Sequence, residues 1–170
     1  MARMSRSCVS TCCALAIVAS ISDSEARAAA PNSCSFLTPA VVAAAIGQPV
    51  TGGTQSVVND PSSSNSSCMY RAGSLLIVLS VNQLPSAAAA RTEYEEELSN
   101  SRAHDSSSSA QKTASVSGLG DAAFSAADGP AISLTGLRGS FVIGVAVVGG
   151  GATVVPQERL RTLLQTALNH

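Results

Sequence analysis

Tryptophan is absent from this chain, and phenylalanine and tyrosine together number five among 170 residues. Aromatic side chains supply much of the energy at recognition sites, so a large aromatic-lined ligand pocket is not expected. Charge is scarce as well: Asp, Glu, Lys and Arg make up 12% of the chain, the formal net charge is −1, and Lys112 is the only lysine. No cluster of Lys and Arg occurs, so the electrostatic footprint that neutralises phosphates is missing and nucleic acid is not an expected partner. Histidine is limited to His104 and His170, and no Cys-x-x-Cys spacing occurs. No metal site and no cofactor site is expected from such a set.

What the chain does have is aliphatic bulk, with 45% of its residues apolar, which suits one small domain with a core of Val, Leu, Ile and Ala. The first stretch stands apart. Arg3 and Arg6 form a basic start, Cys12 to Ile21 an apolar core, and Ala26-Arg27-Ala28 a small-x-small cleavage pattern. Residues 1–28 therefore read as an export signal cut after Ala28, with Ala28-Ala29-Ala30 as the alternative site, and residues 29–170 as a single exported domain. The apolar run falls well short of the ~20 residues a membrane-spanning helix needs, so no transmembrane span is expected in the mature form. No apolar-small-small-Cys box of the lipoprotein kind precedes Cys34, which favours a free secreted or periplasmic protein.

Removing the signal takes Cys8, Cys12 and Cys13 with it and leaves Cys34 and Cys68. Two cysteines bound for an oxidising compartment are expected to pair. Just after Cys34, Thr38 suits a helix N-cap and Pro39 the first helical position, while Gly47 and Pro49 end the helix. Leu37 is placed to staple onto Val42, with Val41, Ala45 and Ile46 turned inward. The following stretch is rich in Gly, Ser and Asn, with a short strand at Gln55 to Val58 and a flexible connection from Ser62 to Ser67. Cys68 to Arg71 opens a strand, and Ser74 to Val81, nearly continuous in aliphatic residues, reads as a central strand partly covered on both faces.

Pro85 begins a helix through about Leu98, with Ala87, Ala90, Tyr94 and Leu98 as its apolar stripe. Glu93, Glu95, Glu96 and Glu97 read as a solvated face rather than an acid–base pair, because adjacent glutamates on one helix do not face each other across a cleft. Ser99 to Ser117 reads as a long Ser-rich connection. It holds His104-Asp105-Ser106, which raises a hydrolase with His104 as base; neighbours in sequence seldom point at one another, and such a triad needs a rigid scaffold. Gly118-Leu119-Gly120-Asp121-Ala122-Ala123 has the outline of a dinucleotide loop, but no long helix follows. It reads as a glycine turn in which Asp121 bonds local backbone amides before a strand begins at Ala122.

Ala131 to Thr135 and Ser140 to Val148 read as two further strands joined through Gly136 to Gly139. Gly149-Gly150-Gly151 lacks the Lys-Ser or Lys-Thr of a phosphate loop. After Pro156, Leu160, Leu163, Leu164, Ala167 and Leu168 recur with helical period. These elements predict an α+β fold, a largely antiparallel sheet of five or six strands covered by helices on one face, with an α-β-β rhythm repeated across the two halves.

Cys34-Ser-Phe-Leu-Thr-Pro39, Ala45-Ile46-Gly47-Gln48-Pro49-Val50, Cys68-Met69-Tyr70 and Gly118 to Ala123 together resemble a group of small bacterial secreted and lipid-anchored envelope proteins of unknown function, known mainly from actinobacteria. The resemblance spans about residues 34 to 168 and implies an envelope or extracellular domain without assigned catalysis. The expected function is an exported, non-catalytic binding or interaction domain with a protein or small-molecule partner, and the alternative is a secreted hydrolase using His104.

Overall fold

The computed structural model describes residues 30–59, 64–107, 112–149 and 155–170. The segment read as an export signal lies outside the described residues. The chain enters through a one-turn helix, α1 (Ser33–Phe36), whose N-cap Asn32 accepts a hydrogen bond from Cys34 N at 3.1 Å. Helix α2 (Pro39–Ile46) follows at once. Thr38 Oγ1 accepts from Val41 N at 3.3 Å, and Gly47 closes the helix in the left-handed region at φ +79°, where a side chain would be strained.

Three strands then form a meander: β1 (Thr51–Asn59), β2 (Ser64–Ala72) and β3 (Leu75–Gln83). Helix α3 (Ala87–Ser107) leads to β4 (Lys112–Ser115), β5 (Ala122–Asp128), β6 (Ala131–Arg138) and β7 (Phe141–Val148), and α4 (Gln157–Leu168) ends the chain. The seven strands form one sheet in the order β1-β2-β3-β7-β6-β5-β4, and every pairing is antiparallel. The last strand in the chain, β7, sits at the centre beside β3, so the two meanders close on each other through their most aliphatic members.

Alternation along these strands makes two apolar layers. On one face Cys68, Tyr70, Ile77, Leu79, Val81, Leu134, Ile143, Val145 and Val147 pack with Val42 and Ile46 of α2 and with Leu160, Leu163, Leu164 and Leu168 of α4. On the other, Phe124, Leu137 and Val142 pack with Ala90 and Tyr94 of α3, the Tyr94 and Phe124 rings meeting edge-on at 5.5 Å. Cys34 and Cys68 are joined by a disulfide that fastens α1 to β2.

The α+β class and the antiparallel sheet are those the sequence predicts, with differences in extent. The strands number seven rather than five or six. Helices lie on both faces instead of one, because β5, β6 and β7 turn apolar residues to both sides and the Ala90–Tyr94 stripe of α3 fits the second. Among the described residues of the Ser-rich connection before Cys68, Ser64 to Ser67 belong to β2: Ser64 and Ser66 are buried, the residues opposite fixing a strand that composition argues against. The connection from Ser99 is also shorter than predicted. Helix α3 runs on to Ser107, and β4 begins at Lys112, where Asp105 accepts from Thr113 N at 2.8 Å and from Thr113 Oγ1 at 3.0 Å.

Candidate functional site

The α3 face of the sheet is only half covered. Helix α3 lies over the β4–β7 side, and no described helix lies over β1, β2 and β3. Register sorts the side chains of this face into rows that run across the strands. The first is Arg71, Leu76, Val148, Ala131; the second is Thr54, Met69, Val78, Ala146, Ser133. The third is Ser56, Ser67, Ser80, Gly144, Thr135, and the fourth is Val58, Asn65, Asn82, Val142, Leu137. An aliphatic strip thus lies beside a hydroxyl strip, which lies beside an amide strip. Met69 and Val148 are 37% and 38% exposed, high for residues of their size within a sheet.

The hydroxyl row depends on one glycine. A Cβ at Gly144 would stand 2.6 Å from Ser80 Oγ, so the absence of a side chain there lets Ser80 lie across the neighbouring strand, donating to Gly144 O at 3.4 Å. At the covered end of the row Thr135 Oγ1 donates to Glu97 Oε1 at 3.1 Å. Glu97 is exposed as a residue, but its carboxyl tip reaches back to the sheet. Burial of that tip raises its pKa above the ordinary glutamate range, the Thr135 hydrogen bond pulls it down, and the nearby Glu93 carboxylate pushes it up again. In the amide row Asn82 Oδ1 is buried without a partner among the described residues.

On the opposite side of the molecule a cleft of about 370 Å³ lies between the end of α2, the β2–β3 hairpin and the start of α4, with Ile46, Gln48, Ala72, Leu75, Pro156 and Arg159 on its walls. Arg159 does not stand free in it. Its guanidinium donates to Ile46 O and so caps the C-terminal end of α2.

The residues singled out in the sequence are dispersed. His104 is exposed on α3, and the Asp105 carboxylate beside it is engaged by both donors of Thr113; the side chain of Ser106 lies outside the described residues. Glu93, Glu95 and Glu96 are exposed, with Arg91 3.9 Å from Glu95; Glu97 is exposed too, but its carboxyl turns to Thr135, which a glutamate-rich stretch does not signal. No group of three metal-ligating side chains occurs among the described residues. Nor does any helix among them have the length and apolarity to cross a membrane.

The Gly118 to Ala123 segment is a bracket rather than a nucleotide loop. Gly120 has φ +56° and its Cβ would collide with Leu137 O, while Asp121 N donates to Leu137 O at 2.7 Å. The Asp121 carboxylate accepts from Gly139 N at 2.9 Å. Its partner is therefore the β6–β7 turn 18 residues on, not the local amides expected from the sequence. Three arginines also act as clasps, two of them, Arg159 and Arg161, on the side of the last helix that its period turns outward. Arg138 donates to Leu168 O and Asn169 Oδ1, both at 2.6 Å, closing α4; Arg161 donates to Ser117 O at 3.1 Å; Arg159 caps α2. Their partners lie 30, 44 and 113 residues away, so no local pattern could have found them.

A half-covered antiparallel sheet with a disulfide-tied entry helix defines an α+β domain whose one open face is a mixed aliphatic and hydroxyl surface. No protein-family model and no curated protein matches this chain. Among solved structures, the extracellular domain of PknH from Mycobacterium tuberculosis is similar, with 12% identity, a TM-score of 0.44, and coverage of 79% of this chain and 93% of that one. At that identity and score the likeness says nothing of what this chain binds.

Proposed function

We propose that the chain is an exported, non-catalytic binding domain of the bacterial envelope or its surroundings, and that it holds a protein partner on the open half of its sheet. The observation that carries this reading is the row structure of that face. Met69, Leu76, Val78, Ala146 and Val148 form an aliphatic strip bordered on one side by a serine row and then an asparagine row, so that apolar and polar contact area lie together as they do in a protein–protein interface. Small-molecule sites are concave and enclose most of their ligand. An open sheet face offers area instead, which favours a protein surface as the occupant. The Cys34–Cys68 disulfide supports an oxidising compartment, as does the resemblance of the cysteine-bearing motifs to secreted envelope proteins. The exposed position of His104 and the engagement of Asp105 give the hydrolase alternative no support.

A photo-reactive residue placed at Val78, at the middle of the aliphatic strip, tests the reading against the same residue at Thr162, exposed on α4. Illumination in the envelope or medium is expected to give a discrete protein adduct from position 78, abolished when Met69→Lys is added. Equal labelling from both positions, or none from position 78, overturns the assignment.

A further inference from the structure

The two edges of the sheet meet solvent differently. Strand β4 is four residues long, carries Lys112, and is tied to α3 through Asp105 and Thr113. Short length, lysine and a covering helix are the devices that keep a sheet edge from pairing with another chain. Strand β1 is nine residues long with no charge and no proline. It hydrogen-bonds to β2 on one side and stands last in the sheet on the other. It also bears the most exposed large apolar side chains among the described residues, Val58 at 63% and Val57 at 45%. Among the described residues it is guarded by a register shift at Gly52/Thr54 and by the entry segment, where Gln55 Nε2 donates to Pro31 O at 3.3 Å; residues 54–59 remain regular strand.

We propose that β1 is a strand-addition surface whose occupant is β1 of a second copy of this chain, antiparallel about a two-fold axis at Val57. Residues opposite one another in an antiparallel ladder share a face. Val57 lies on the α2/α4 face with Gln55, and Ser56 and Val58 lie on the open face. An axis at Val57 sets it against the partner's Val57, Ser56 against the partner's Val58, and Gln55 against the partner's Asn59. This register uses only residues beyond the irregularity, sets the two Val57 side chains directly against each other on one face, and places the two Val58 side chains diagonally on the other, each opposite the partner's Ser56. A two-fold contact joins a surface to itself, so a charged strand would meet its own sign; β1 carries no charge and escapes that repulsion. Pairing also places the open half-faces of the two copies side by side in one continuous sheet. The inference rests on the edge alone and stands whether or not the open face holds a protein partner.

Sedimentation velocity of the exported protein from micromolar to millimolar concentration tests it. The expected result is a concentration-dependent monomer–dimer equilibrium that Val57→Lys weakens by roughly tenfold or more, since two lysines directly opposite one another repel. Under mild oxidation Val57→Cys is expected to yield a covalent dimer, and Ala114→Cys on β4 is not. Should Val57→Lys lose its fold by circular dichroism, the cysteine pair decides. A wild-type chain that stays monomeric throughout overturns the proposal and leaves the edge to a foreign strand. A dimer indifferent to Val57→Lys, or equal cross-linking from both edges, overturns it by placing the interface elsewhere.

Discussion

Two hydroxyl-bearing contacts, one buried and one half-buried, show what single residues do here. Tyr70 is wholly buried and donates to Leu37 O; burial pushes its phenol up to about 12, so it remains a donor throughout the physiological range. Glu97 is the titratable counterpart on the other face. Its pKa is raised first by burial of the carboxyl, with the Thr135 hydrogen bond opposing and Glu93 adding. An acid whose folded-state pKa lies above its unfolded value binds its proton more readily when folded. Its contribution to stability is full below the unfolded pKa and is lost as pH rises through the folded one. Glu97→Gln, which mimics the protonated form, is therefore expected to match the wild type in acid and to gain on it as pH rises above the ordinary glutamate range, levelling off once the folded carboxyl has ionised. Urea unfolding of both proteins across pH measures this; a difference that does not change with pH would show that the carboxyl titrates normally.

At the scale of elements, the entry segment is the part least able to stand alone. An isolated helix of eight residues is far below the length at which helices persist in water. Helix α2 is held instead by Thr38 at its start, by Arg159 at its end and by the neighbouring Cys34–Cys68 bridge. The bridge spans a sequence separation of 34, and closing a loop of that size restricts the unfolded chain by about 3.5 to 4 kcal/mol on the chain-entropy model. Cys34→Ser combined with Cys68→Ser is expected to lower the unfolding free energy by about that amount in denaturant titrations. A loss under about 1 kcal/mol would mean the helix is held by its other contacts. The caps and stop signals of α2 and the period of α4 were legible because they are local. The extent of α3 and β2 was not, since serines disfavour both states locally and are overruled by Thr113 bonding Asp105 and by the strands flanking β2.

For the molecule as a whole, export predicts both the mature N-terminus and the redox state of the two remaining cysteines. Intact mass of the protein recovered from the medium or periplasm is expected to start at Ala29 and to rise by two hydrogens on reduction. A species that retains residues 1–28, or that already carries free thiols at Cys34 and Cys68, would contradict export through a cleaved signal or an oxidised resting state. The double-sided core also bears on function at this scale. Because α3 covers only the β4–β7 side of its face, the molecule keeps an open β1–β3 surface that a sheet with helices on one face alone would not have divided in this way.

The sequence by itself determined the class of fold, the capped helix after Thr38, the aliphatic central strands and the amphipathic last helix. Each of these follows from period, propensity or punctuation within a dozen residues, where local physics suffices. Tertiary structure alone decided which faces the helices cover, the central pairing of β3 with β7, the arginine clasps, the inward turn of Glu97 and the open rows of the half-sheet. Those depend on residues brought together from distant parts of the chain, and an alternating strand pattern states that two faces exist without stating what comes to lie on either.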